Sequence, residues 1–152
     1  MLYVGKRALF ARLTPRRKAN RSRGKRYASR SNRCPQRQGA AYRAKIGRIV
    51  YDALVSIGAP EKDRFQIIAE HEADSFQFDP EYLGIHRSAD LVMIQITWNE
   101  GRTTAQKQAL YKTITDGLHA TVGLRREDVL INLVEVKKEN WSYGNGIAQY
   151  VV

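Results

Sequence analysis

A chain of 152 residues that is 43% hydrophobic can bury the core of one domain, and it holds no run of 18 apolar residues with which to span a bilayer. The formal charge of +11 is unevenly placed: residues 1–38 carry 13 Lys and Arg and no Asp or Glu, which leaves residues 39–152 with a net charge of −2. The single cysteine, Cys34, excludes an internal disulfide framework and points to a reducing compartment, so a cytoplasmic location is expected.

Residues 1–38 are rich in Arg, Ser, Asn and Gly and too poor in apolar groups to offset their ordering entropy, so this basic segment is expected to be disordered. Three readings of it stay open: an arm that neutralises nucleic-acid phosphates or another anionic surface, an organelle presequence, or a start that is not the natural one. Interleaved aromatics are few (Tyr3, Phe10 and Tyr27), and Cys34 in so polar a stretch makes a poor nucleophile.

The domain proper is expected over residues 39–152. Residues 40–58 read as a helix, with Ile46, Ile49, Val50, Ala53, Leu54 and Ile57 at three- and four-residue spacing and Gly58 as the stop. Residues 63–72 alternate as a strand, and Phe76 and Phe78 suggest a short one before a turn at Pro80. The sequence LVMIQITW at residues 91–98 is almost wholly apolar and predicts a central strand buried on both faces. Residues 103–122 predict a second helix, capped by Thr103, ended by Gly123, and packed through Ala105 or Ala109, Leu110, Ile114, Leu118 and Val122. A strand at 128–136 follows, then a turn-rich stretch at 140–146 and a short closing strand at 147–152.

An internal repeat organises these elements. At an offset of 65, Gly58 matches Gly123, Asp63 matches Asp128, Glu70 matches Glu135 and Ile49 matches Ile114. Two β-α-β units with right-handed crossovers give an α+β fold, a four-stranded sheet with two helices on one face. The counterpart of the central strand would fall at residues 26–33, Arg-Tyr-Ala-Ser-Arg-Ser-Asn-Arg, which cannot be buried without stranding its arginines. The first strand is therefore expected to be missing or replaced.

Four motifs in order, DRFQ at 63–66, IHRS at 85–88, GRTTAQKQALY at 101–111 and WSYGNG at 141–146, resemble the tautomerase superfamily. The likeness is greatest to its malonate semialdehyde decarboxylase-like branch and covers residues 39–150. The resemblance implies the fold shared by 4-oxalocrotonate tautomerase and macrophage migration inhibitory factor, assembled as a homotrimer. It implies an isomerase or a decarboxylase-like lyase acting on small carboxylated keto or enol substrates, with no metal or organic cofactor. Asp63 would position or activate water, and Arg102 would take part in catalysis and hold the substrate carboxylate. Trp141, Tyr143 and Tyr150 would wall the pocket. Asn99 stands where the branch has a second arginine.

The family's amino-terminal proline, a secondary amine whose pKa an apolar pocket lowers, has no match: residue 2 is Leu2, and Pro15 and Pro35 are internal. Activity is expected to be impaired on that account. The alternative is a non-enzymatic member whose basic arm, residues 1–38, binds nucleic acid or anionic surfaces. Other readings of single residues remain open. Asp63 could cap a loop, as its partner Asp128 is expected to do, and Trp141 and Tyr143 could be core or subunit interface. His71, His86 and His119 lack metal-ligand spacing.

Overall fold

The structure, a computed structural model, describes residues 39–71 and 74–151. The expectations for residues 1–38, namely the basic arm, its nucleic-acid binding and the missing first strand, lie outside the described residues. Two helices and two strands carry the fold: α1 (Ala40–Ser56), β1 (Val92–Asn99), α2 (Thr104–Val122) and β2 (Val129–Val136). β1 and β2 pair in parallel, from Val92 opposite Val129 to Asn99 opposite Val136, and α2 makes the crossover between them. This is the β-α-β unit that the repeat predicts.

Alternation along β1 decides where the core lies. Val92, Ile94, Ile96 and Trp98 are buried and meet Leu110, Ile114 and Leu118 of α2 and Ile46, Val50, Ala53 and Leu54 of α1, so both helices cover one face. On the other face Met93, Gln95 and Thr97 are only half-buried, and Gln95 Nε2 donates to Asn132 Oδ1 across the ladder at 3.1 Å. Burial of β1 on both faces is thus not achieved within one chain. The residues are apolar enough for it, but the described residues cover that face only at its start, where Phe76 and Phe78 pack with Leu91 and Leu130.

α2 forms where its signals are local. Thr103 and Gln106 make a reciprocal capping box, and Gly123 (φ 69°) closes the helix by donating to His119 O at 3.1 Å. Its core face is Leu110, Ile114 and Leu118, whereas Ala105 and Ala109 are exposed. α1 and α2 approach closely at Gly117, where a Cβ would sit 2.8 Å from Ile49 Cγ2. Ile49 is β-branched and held to one rotamer on a helix, so it cannot swing aside cheaply. Gly117→Ala is expected to lower stability by about 1 kcal/mol, the overpacking cost exceeding the gain in helix propensity. In an Ile49→Ala background the same substitution should instead stabilise by about 0.5–1 kcal/mol. Urea denaturation at fixed protein concentration checks both signs.

Three expected strands are absent among the described residues. Residues 63–71 pair with no strand. Their even positions turn to α1 instead: Gln66 Nε2 donates to Gly47 O at 2.9 Å, Ile68 packs over Gly47, and Glu70 pairs with Arg43 at 2.7 Å. Phe65 and Ile67 are left 50% and 56% exposed. Phe76 and Phe78 form a ring pair, centroids 5.1 Å apart, in which Phe76 packs on Leu91 rather than joining a ladder. The closing strand also fails. Gly144, Asn145 and Gly146 take φ of 145°, 58° and 69°, which curls the chain, and Gln149 closes the loop by accepting from Tyr143 N and donating to Gly144 O. Among the described residues no helix is long and apolar enough to cross a membrane.

Candidate active site

The carboxyl-terminal end of β1 is where side chains from four parts of the sequence converge. β1 delivers Trp98 and Asn99. The chain then reverses through Gly101 at φ 112°, a conformation that L side chains avoid, and presents Arg102 immediately before the Thr103 cap. Arg102 is held on two sides. Its Nη1 donates to Asn99 O at 2.7 Å, and its guanidinium lies 4.4 Å over the Trp98 ring, within cation–π range.

After β2 a short helical turn, Lys138–Asn140, brings the chain back over the same end of the sheet. Trp141 Nε1 donates to Asn99 Oδ1 at 2.7 Å. Trp141 and Tyr143 stack at 5.6 Å with 20° between their planes, and Tyr143 meets Tyr150 edge-on at 5.4 Å. Phe65 lies tilted beside Tyr143, with ring centroids 6.1 Å apart. Asp63 arrives from the turn after α1, where its N–H donates to Pro60 O at 3.1 Å.

Asp63, Arg102, Trp141, Tyr143 and Tyr150 line one cavity of about 140 Å³, together with Asn99. Of the described residues on its wall, Asp63 and Arg102 are the charged ones. The Tyr143 hydroxyl is pushed far above its usual pKa, first by burial, then by its hydrogen bond with Tyr150 and by the charge of Asp63, so it stays a neutral phenol bonded to Tyr150. A small anion entering this space meets one cation, one carboxylate and a stacked aromatic wall. Among the described residues, no three His, Cys, Asp or Glu side chains gather as a metal site.

The repeat aspartates take different places. Asp128 is 1% exposed and accepts from Ser88 N at 2.5 Å and Ser88 Oγ at 2.7 Å, the expected loop cap. Asp63 is half-buried on the cavity wall. Sequence reasoning left Trp98 out of the site and gave Asn99 only as the residue standing where the resembling branch has a second arginine. The available signal was position, since both end a buried strand directly before the Gly101–Arg102 turn.

A family model described as tautomerase enzyme matches residues 63–144. The Bacillus subtilis (strain 168) protein named Probable tautomerase YusQ is 41% identical over 108 residues, which cover 70% of this chain and 85% of that protein. Among solved structures, FG41 malonate semialdehyde decarboxylase inhibited by 3-bromopropiolate superposes with a TM-score of 0.69 and 36% identity, over 75% of this chain and 87% of that one. A fused 4-OT symmetric trimer superposes with a TM-score of 0.62 and 26% identity, over 76% of this chain and 91% of that one.

Proposed function

This chain belongs to the tautomerase superfamily, and we propose that it acts on small carboxylated keto or enol acids, either moving a proton beside the carbonyl or releasing the carboxyl group as carbon dioxide. The observation that carries this reading is the pairing of Arg102 and Asp63 on the wall of one small aromatic cavity. A cavity of about 150 Å³ is known to accept benzene, so about 140 Å³ suits an acid of roughly six non-hydrogen atoms. The three-carbon 3-bromopropiolate that inhibits the FG41 decarboxylase is of that class.

Arg102 holds the substrate carboxylate. One of its five N–H groups is engaged by Asn99 O and its face lies on Trp98, which leaves an edge for bidentate binding. Asp63 moves the proton or orients a water against the carbonyl. Loss of carbon dioxide leaves an enolate, which the same cation stabilises until a proton returns to carbon. We also propose assembly as a homotrimer, as in the fused 4-OT neighbour. Its support is the exposed pair Phe65 and Ile67 and the half-buried second face of β1, both larger apolar surfaces than one chain covers.

Two assays test the reaction. Exchange of pyruvate methyl protons for deuterium, followed by NMR, reports proton transfer, and release of carbon dioxide from 3-oxo acids reports decarboxylation. Asp63→Asn is expected to slow the supported reaction about 100-fold or more while the Kd for pyruvate moves by less than about threefold. If the native protein accelerates neither reaction above buffer with any acid of this size, the proposal is wrong.

A further inference from the structure

Asn99 holds the site together through both of its oxygens. Its carbonyl oxygen accepts from Arg102 Nη1 and its Oδ1 accepts from Trp141 Nε1, each at 2.7 Å. An indole N–H can only donate, so the amide oxygen must face Trp141, and the ambiguity between amide oxygen and nitrogen that affects most asparagines is settled here by chemistry. What remains is Nδ2 with two N–H groups. Among the described residues Nδ2 has no acceptor, and Asn99 lines the same cavity as Arg102 and Asp63.

We infer that Asn99 Nδ2 is a substrate-binding donor that takes a neutral oxygen of the substrate, its carbonyl or enol oxygen, beside the carboxylate held by Arg102. This rests on the reading of the cavity as a keto-acid site and narrows it. The wall then offers one cation and one neutral donor, fixed with respect to each other because Arg102 is bonded to the Asn99 backbone. A monocarboxylate with an oxygen on the adjacent or next carbon matches that pair. A dicarboxylate does not, because its second carboxylate would be desolvated against an uncharged amide with Asp63 on the same wall. The amide also lies where negative charge develops on the substrate oxygen during proton removal, so the same donor stabilises the enolate.

The test uses equilibrium binding, which does not require turnover. Acetate, pyruvate and malonate are titrated into the full-length protein, with Trp98 and Trp141 fluorescence as the readout. The native protein is expected to prefer pyruvate to acetate and to malonate by about tenfold, the value of one well-placed neutral hydrogen bond. Asn99→Asp keeps an acceptor for Trp141 of the same shape and removes the donor. It should erase the preference for pyruvate over acetate and leave the urea midpoint near that of the native protein. A role confined to holding Trp141 predicts the reverse: Asn99→Asp retains the preference, and that outcome overturns the inference. If the native protein binds pyruvate selectively yet turns nothing over, the proposed reaction fails while the assignment of Asn99 stands. If the native protein binds acetate and pyruvate equally, the assignment fails whatever the reaction.

Discussion

Arg102→Ala is expected to lower kcat/KM for the supported keto or enol acid by about 100-fold or more. Charge-assisted hydrogen bonds contribute roughly 1.5–3 kcal/mol each, and about 3 kcal/mol corresponds to a little over two decades. The cation contacts a carboxylate that is present in both ground and transition states, so most of the loss should appear in KM, with a smaller fall in kcat from weaker stabilisation of the enolate. Arg102→Lys should recover little. An ammonium cannot reproduce the fork that donates to Asn99 O while presenting an edge to substrate, and it loses the planar stack on Trp98 at 4.4 Å. Folding should survive both changes, because Arg102 is only half-buried and its contacts are one carbonyl and one ring face. Retention of kcat/KM within threefold in Arg102→Ala would remove Arg102 from the site.

What the sequence made legible is what is decided locally. The Thr103–Gln106 box, the Gly123 stop and the three- and four-residue spacing of Leu110, Ile114 and Leu118 are all contained within α2, and that helix forms as read. β1 and β2 are long apolar runs and need only each other. Residues 63–71 show the limit of this reasoning. Alternation identifies a chain that can be a strand but names no partner, and here Gln66 and Glu70 bond to α1 while Phe65 and Ile67 face outward. Likewise LVMIQITW is equally apolar whether its second face is covered by its own chain or by another copy. In the closing stretch, Gly-Asn-Gly reads as a hairpin turn, but three successive positive φ values coil it and Gln149 seals the loop. The site residues came from resemblance and share a cavity. Asn99, which joins Arg102 to Trp141, looked only like an absent arginine, because its function rests on bonds to residues distant in sequence or through its backbone.

Asp128→Ala should be the most destabilising of the single substitutions considered, by about 3 kcal/mol. The carboxylate is 1% exposed and accepts from both Ser88 N and Ser88 Oγ, with Arg125 Nε 3.8 Å from Oδ2. Truncation removes two charge-assisted bonds and leaves the backbone N–H and hydroxyl of half-buried Ser88 without them, at roughly 1–3 kcal/mol for each unsatisfied group, partly offset where water reaches them. Asp128→Asn should cost less, about 1 kcal/mol, since its amide oxygen can still accept from Ser88 N and the hydroxyl can rotate to accept from the amide. These bonds fasten the loop at Ser88 to the start of β2, and Arg125 reinforces the tie by donating to His86 O at 2.8 Å. The cavity lies at the opposite end of the sheet, about 23 Å away along β1 at roughly 3.3 Å per residue. Asp128→Ala should therefore shift the urea midpoint strongly while leaving kcat/KM of the folded protein within about twofold. Asp63→Asn should do the opposite. One aspartate of the repeat then serves the fold and its counterpart serves the chemistry. A loss of activity in Asp128→Ala larger than its loss of folded protein, or a stability change below about 0.5 kcal/mol, would show that this division is wrong.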